Sequence, residues 1–552
     1  MAVLLLGGAG AWAQNVNPTV VVTNTYAQEA SGIDKPVQLL EVPDSVLKFN
    51  LDFDYSVQST PYKGAYEFKP YLVQLRPMSR QANEGRLYLS GGMGYTAHPE
   101  LTVVWTPVRT QKFRLNVFGN HHSYVGQYRN LGIQDGVVMY DGTRYSGAGA
   151  YTDAGVNGVL GWTGGIFTAD LRYRNIIGSD KVMNNVQHIV QFQGRVKSNE
   201  DAPLAYEVGT RMTNLTGLAH PNAPYSTFSE FHSLTDASVG THAGAHYFKL
   251  GVGVETVNQN GEYAVDLALI PRYILKLDRF KADLGVRLSY IFRSSGSSYG
   301  PKSDFVFPEA RISFDLVPET LVLQAAATGG DRLNVYTDML DQNPFLMSFL
   351  GQQQLSHSVE RVNLMLGARG NMAERFYYNL KLGWSYWKDG LLYGFMANPS
   401  NAADAPKWLP TIAYAPRYHQ FYVDLAAGWK SEKVDIDGRL LYRYTTIDEP
   451  LAFGPPALLG KLKAMYIWGG RIKAGVTLGG MTDRKTRMAD TADADLVTLP
   501  GYVDLGLLGD LQMTEKLGLW LKVGNLLNQT VNSVPFHAEK GIWFTVGARL
   551  TL

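Results

Sequence analysis

The side chains with which this chain could do chemistry are its 11 histidines and its 49 aspartates and glutamates, because it has no cysteine. Without thiols there is no disulfide framework, zinc–thiolate site or iron–sulfur cluster. The histidines fall in no HExxH or similar ligand spacing. His121 and His122 are adjacent, and neighbours on a strand point to opposite faces, so the pair cannot ligate one metal on one side. Asp490, Asp493 and Asp495 could offer oxygens to a hard cation such as Ca²⁺, but a solvated acidic loop accounts for them more simply. No P-loop or GxSxG is present, and no spacing of Ser, His and acid marks a nucleophilic triad. The residues therefore point to no catalytic group, cofactor or metal, and to a protein that is not an enzyme.

Aromatic clusters are more informative. The stretch 387–410, WKDGLLYGFMANPSNAADAPKWLP, carries Trp387, Tyr393, Phe395 and Trp408. These are too many for a merely solvated loop. They can fold onto neighbouring structure, stack on a ligand or contact a partner protein. Residues 329–356 hold Tyr336, Met339, Phe345, Leu346, Met347 and Phe349. This pattern predicts a short helix that dips inward, as a lid or partner surface.

The elements that must position these loops read as long strands. In 280–293, Phe280, Ala282, Leu284, Val286, Leu288, Tyr290 and Phe292 share one face. Lys281, Asp283, Gly285, Arg287, Ser289 and Arg293 share the other, with Ile291 as the exception. The same period of two recurs in 247–257, 433–444 and 542–552. Runs of about 10 residues, apolar on one side, charged on the other and with aromatics near their ends, fit strands that face lipid outward and a polar lumen inward. A soluble sandwich has strands of about 5–6 residues.

Composition agrees. Glycine is 57 residues and tyrosine 32, only 18% of residues are charged, and the net charge of +1 lacks the basic excess of a nucleic-acid binder. No run of about 20 apolar residues exists, so membrane helices are excluded.

Ten tight polar turns are readable: 109–111, 163–165, 199–202, 243–246, 277–279, 318–320, 372–375, 431–432, 469–470 and 514–516. They alternate with mostly longer connections at 125–146, 217–227, 295–303, 329–356, 388–410, 447–455, 483–499 and 529–541. Short periplasmic turns and long extracellular loops are the barrel habit. Ten such turns with both chain ends periplasmic predict an all-β, antiparallel transmembrane barrel of about 22 strands over 86–552, in the bacterial outer membrane and in contact with its lipid.

Before the barrel, 1–13 reads as a signal peptide with a truncated start, MAVLLLGGAGAWA, cut after Ala13. Residues 14–85 do not alternate and read as an N-terminal segment in or near the periplasmic mouth. An open lumen of this bore would leak, so the segment or the inward loops are expected to occlude it.

The C-terminal stretch LPGYVDLGLLGDLQMTEKLGLWLKVGNLLNQ, followed by a loop and GIWFTVGARLTL, resembles the end of TonB-dependent receptors of the Bacteroidota type, with Gly524-Asn525-Leu526-Leu527-Asn528 as the matching piece. The chain ends in Leu552, where such barrels usually end in an aromatic. Thr19, Val20, Val21, Val22 and Thr23 resemble a TonB box, which would pair with TonB by strand addition. The resemblance implies a nutrient-transport barrel whose terminal strand is read by the barrel assembly machinery. The family's plug exceeds 100 residues, whereas 14–83 offers about 70, so a shortened plug or none is expected. The alternative is a non-transporting scaffold that holds partner proteins or lipoproteins in an outer-membrane complex.

Overall fold

In lipid every backbone N–H and C=O must be paired, so a sheet of alternating strands has to close on itself. The structure is a computed structural model. It describes residues 86–552 except 181–183, 200–201, 219–226, 296, 298, 300–304, 319, 347–354, 373–374, 398–406, 448–455, 487–496, 533–536 and 540. The signal-peptide stretch, the 14–85 segment, the TonB-box-like residues 19–23, Met347, Phe349 and the aspartates 490, 493 and 495 lie outside the described residues.

The strands are β1 (Leu87–Tyr95), β2 (Glu100–Arg109), β3 (Phe113–Gln134), β4 (Val137–Trp162), β5 (Gly165–Asp180) and β6 (Asn184–Ser198). There follow β7 (Leu204–Leu218), β8 (Thr227–Ala243), β9 (His246–Gln259), β10 (Glu262–Lys276), β11 (Phe280–Arg293), β12 (Val306–Val317) and β13 (Leu321–Leu333). Helix α1 (Tyr336–Gln342) precedes β14 (His357–Met372), β15 (Phe376–Ala397), β16 (Trp408–Lys430), β17 (Val434–Ile447), β18 (Leu458–Trp468) and β19 (Ile472–Met481). The last are β20 (Arg484–Thr486), β21 (Val497–Leu499), β22 (Tyr502–Gln512), β23 (Leu517–Gly524), β24 (Ala538–Glu539) and β25 (Trp543–Thr551).

β20, β21 and β24 are short extracellular additions, and the other 22 strands form the wall. Each wall strand pairs antiparallel with its neighbours. The wall closes where β1 meets β25, Tyr88 opposite Thr551 through Tyr95 opposite Phe544. The wall is the predicted one, and the ten short turns lie where the sequence places them.

Some connections differ from expectation. The stretch 125–146 is not a loop. β3 and β4 run on to a turn at Asp135 and Gly136, both with positive φ (48° and 73°), as a primed hairpin turn requires. Likewise 388–410 is largely strand, with β15 continuing through Ala397 and β16 resuming at Trp408. Two tall hairpins therefore rise above a wall that is low at the closing seam, where β1, β23 and β25 have only 8 or 9 residues each.

The two faces have opposite chemistry. On β11, Leu284, Val286, Leu288, Tyr290 and Phe292 are 40–56% exposed and face lipid, while Asp283, Arg287 and Ser289 are buried in the lumen. The closing seam is braced from inside. Trp520 lies over Gly92 and Gly547, and its indole N–H donates to Ser90 Oγ at 2.9 Å.

Candidate functional site

The lumenal faces are polar for most of their length, but near the extracellular end several carry an apolar residue in a polar position. These are Ile176, Ile189, Leu215, Phe228, Val257 and Ile291 on β5, β6, β7, β8, β9 and β11. Ile189 is paired directly with Leu215, so the residues form a belt and not scattered exceptions. Ile291, out of pattern in the sequence, belongs to it.

The belt is covered by the segment between β13 and β14. Tyr336, Met339 and Leu340 of α1, with Val335 before it and Leu346 after it, are buried against the belt in one apolar cluster. Burying this many large side chains gives the segment its docking energy, at about 25 cal/mol per Å² of apolar surface removed from water. The expected inward helix is thus present, as a lid-like cover over the belt.

Polar anchors fix the lid. The Glu230 carboxylate on β8 accepts from the backbone N–H of Tyr336 at 2.7 Å and of Thr337 at 3.1 Å, and from the Thr337 hydroxyl at 2.9 Å. Gln259 Nε2 donates to the same carboxylate at 2.7 Å. Arg174 on β5 pairs with Asp341. Asn185 Nδ2 donates to the Leu346 carbonyl at 3.0 Å. At the lid's base, Tyr299 donates to the Asn334 carbonyl at 2.8 Å, and Asn334 Nδ2 donates to the Ser356 carbonyl at 2.7 Å. Burial first, and the Glu230 carboxylate second, push the pKa of Tyr299 and Tyr336 well above the usual tyrosine value, so both hydroxyls stay neutral. Gly178 is obligatory at one contact, since a Cβ there would lie 2.3 Å from the Pro344 carbonyl oxygen.

Above the lid the two tall hairpins meet. The Lys407 ammonium at the foot of β16 lies 2.5 Å from Asp141 of β4, and its backbone N–H donates to Asn130 Oδ1 of β3 at 3.4 Å. β4 and β16 are 10 strands apart by the shorter way round a wall of 22, so the contact bridges opposite sides of the mouth. β21 pairs with β4 at Val137, and β24 pairs with β3 at Tyr128 and Arg129, which thickens this roof.

Below the lid the lumen carries paired charges. Arg287 lies 3.4 Å from Asp266, and the Ser289 hydroxyl lies 2.6 Å from Asp266 and 2.8 Å from Asp331. His232 Nε2 is 2.8 Å from Glu255. Arg439 forks onto Asp424 at 2.9 and 3.0 Å. No group of three or more His, Asp or Glu side chains suited to a metal occurs among the described residues. Opposite charges on neighbouring lumenal faces thus pair with one another, and Asp266, Arg287, Ser289, His232 and Glu255 are all buried.

The aromatics singled out in 387–410 lie on the two strands of one tall hairpin. Trp387 is buried, stacked on Tyr418 with ring centroids 5.9 Å apart, and donates to Ser385 Oγ at 3.1 Å. Tyr393 and Phe395 are strand residues of β15, opposite Ile412 and Pro410, and Trp408 opens β16 opposite Ala397. His121 and His122 make separate contacts, with Thr152 and with the Tyr151 ring. The sequence reading missed Glu230 and Arg174, which hold the lid. Charged residues on a lumenal face gave no sign of it, whereas the apolar interruptions beside them did.

The GNLLN piece ends β23. Asn525 and Asn528 both have positive φ, and the Asn525 side chain accepts from the Gln529 N–H at 2.9 Å while donating to the carbonyls of Gln529 and Gly541. Asparagine tolerates that conformation and supplies both bonding partners.

Solved structures share this architecture. The FrpB iron transporter from Neisseria meningitidis (F5-1 variant) superposes with a TM-score of 0.62 at 11% identity, over 84% of this chain and 82% of that one. The siderophore receptor PirA from Acinetobacter baumannii gives 0.59 at 10% identity, over 84% and 80%. The copper transporter OprC gives 0.60 at 12% identity, over 85% and 81%. This chain has the fold of the outer-membrane barrel receptors. No family model and no curated protein matches it.

Proposed function

We propose that this chain is a gated uptake barrel of the TonB-dependent-receptor type, embedded in the bacterial outer membrane and not an enzyme. The lid carries the reading. A 22-stranded wall encloses a bore too wide to leave open, and here a segment anchored at Glu230, Arg174 and Asn185 lies across its extracellular end. A pure scaffold needs no polar passage and no shaped lid, so the geometry favours transport over the scaffold alternative. The similar structures are those of an iron transporter, a siderophore receptor and a copper transporter, which makes complexes of these metals the first cargo to test. Energising contact with TonB through residues 19–23, and assembly through β25, complete the proposal.

The test has two arms. In planar bilayers the intact protein should conduct little, and replacing 335–346 with a Gly-Ser linker should open wide conductance. Cells lacking the protein should take up a labelled iron or copper complex more slowly than complemented cells. Wide conductance by the intact barrel would replace this reading with a passive pore.

A further inference from the structure

The ladder between β10 and β11 has a gap. The two strands keep one register from Leu269 opposite Leu288 to Arg272 opposite Gly285, but the pairs between these, Ile270 with Arg287 and Pro271 with Val286, are missing. A missing N–H at Pro271 produces this pattern, because the residues of a hydrogen-bonded antiparallel pair donate to each other. Val286 can still donate to Pro271, whereas the Val286 carbonyl loses its donor. Its opposite residue on the other side is Pro308 of β12, which has no N–H either.

A bare carbonyl in a membrane-spanning wall is costly, since hydrocarbon offers it no donor. From the lumen the gap is closed by Ile270 and Arg287, which are 5% and 4% exposed. The lipid side is open. A groove of about 760 Å³ lies there, lined by Val239, Phe248, Leu250, Pro271, Tyr273 and Val286. Its lining is apolar, so it takes a hydrocarbon chain. Toward the periplasm it meets a polar rim, where the Tyr273 hydroxyl lies 2.7 Å from His246 Nδ1 and Arg279 is exposed in the turn beyond. His246 is level with Leu275, four residues from Pro271. That is about 10 Å of membrane depth, for a strand rising about 3.4 Å per residue at a tilt of about 40°. The rim and the bare carbonyl are thus spaced like a lipid headgroup and a hydroxyl on the first carbons of its chain.

We propose that this groove binds a lipid of the periplasmic leaflet whose acyl chain carries a hydroxyl close to its headgroup. The chain lies in the groove, its hydroxyl donates to the Val286 carbonyl, and its headgroup meets Tyr273, His246 and Arg279. A plain chain fills the same space but leaves the carbonyl bare, so the hydroxyl is what the site selects. The proposal goes beyond uptake and needs only the barrel in its membrane.

Lipid retention tests it, read by native mass spectrometry on the full chain released from nanodiscs. Two probes are offered in equal amounts: phosphatidylethanolamine with a 3-hydroxymyristoyl chain, and the analogue with a plain myristoyl chain. Heat-modifiable gel mobility confirms that each variant is folded. The unaltered chain should retain the hydroxylated probe about tenfold over the plain one, as one hydrogen bond to an otherwise unsatisfied acceptor allows. Pro271→Val restores the ladder donor and should make the two probes equal. Thr241 also lines the groove, and Thr241→Trp, which fills it, should lower retention of the hydroxylated probe about tenfold. Equal retention of the two probes by the unaltered chain, a preference that survives Pro271→Val, or retention indifferent to Thr241→Trp would overturn the proposal. Hydroxyacylated lipid A displacing the hydroxylated probe at equal concentration would also overturn it, by assigning the groove to a lipid of the other leaflet.

Discussion

Replacing Glu230 should release the lid without disturbing the wall. Its carboxylate receives the N–H groups of Tyr336 and Thr337 and the Thr337 hydroxyl. Hydrogen bonds to a charged group contribute about 1.5–3 kcal/mol each, and they are not additive within one group. Glu230→Ala also leaves both N–H groups without this acceptor, so a total loss of about 3 kcal/mol in lid docking is a reasonable figure, or about 150-fold in the open population at about 1.4 kcal/mol per tenfold. The chain has no cysteine, so Met339→Cys, on the buried face of the lid helix, provides a single reporter. A bulky maleimide reaches it only when the lid opens, and its labelling rate on intact cells follows the open population when opening is fast relative to the reaction. Labelling in the Glu230→Ala background should be about 150-fold faster than with Met339→Cys alone. Glu230→Gln, which keeps one acceptor oxygen, should fall between. A Glu230→Ala rate within twofold of the reference, with the barrel still folded, would refute the anchoring role.

Other outcomes are expected elsewhere in the molecule. A Cβ at Gly547 would lie 2.2 Å from Trp520 and 2.5 Å from the Gly91 carbonyl, so Gly547→Ala should destabilise the seam by about 1–3 kcal/mol, seen as a lower temperature for loss of heat-modifiable mobility. An unchanged temperature would mean that the indole moves aside freely. On intact cells an impermeant maleimide should label Asp135→Cys and not Lys516→Cys; the reverse pattern would invert the topology. Phe544→Ala, in the strand that closes the wall, should lower membrane yield more than Asn401→Ala, and equal yields would show that β25 tolerates the loss.

The wall was legible because its physics is local. A period of two, polar turns and lipid-facing aromatics can each be read from a few residues, and the ten short turns fall where those signals are. The tall hairpins were less so. Asp135-Gly136 is a strong hairpin signal, but it sits among glycines and tyrosines that also suit a loop. Strand above the membrane no longer needs a lipid-facing side, so the alternation that marks a span fades in 387–410. The helix of the lid was readable from its apolar residues, but its docking site was not. The belt draws on residues from Ile176 to Ile291 that only closure of the wall brings together. The contact of Phe345 with Tyr128 and His537 is the extreme case, because only Phe345 stands out in sequence and the three rings meet through separate parts of the chain.

The low wall at the seam has a mechanical consequence. β1 and β25 are joined from Tyr88 to Tyr95, whereas β4 and β5 are joined from Gly147 to Trp162. Resistance to peeling scales with the number of ladder bonds strained together, so a pulling force on the C-terminus meets its smallest barrier at the seam. Extraction from the bilayer should start with β25 leaving both β1 and β23, and then proceed hairpin by hairpin toward the taller strands with rising force. The lid's belt, on β5 to β11, would be among the last parts of the wall to yield.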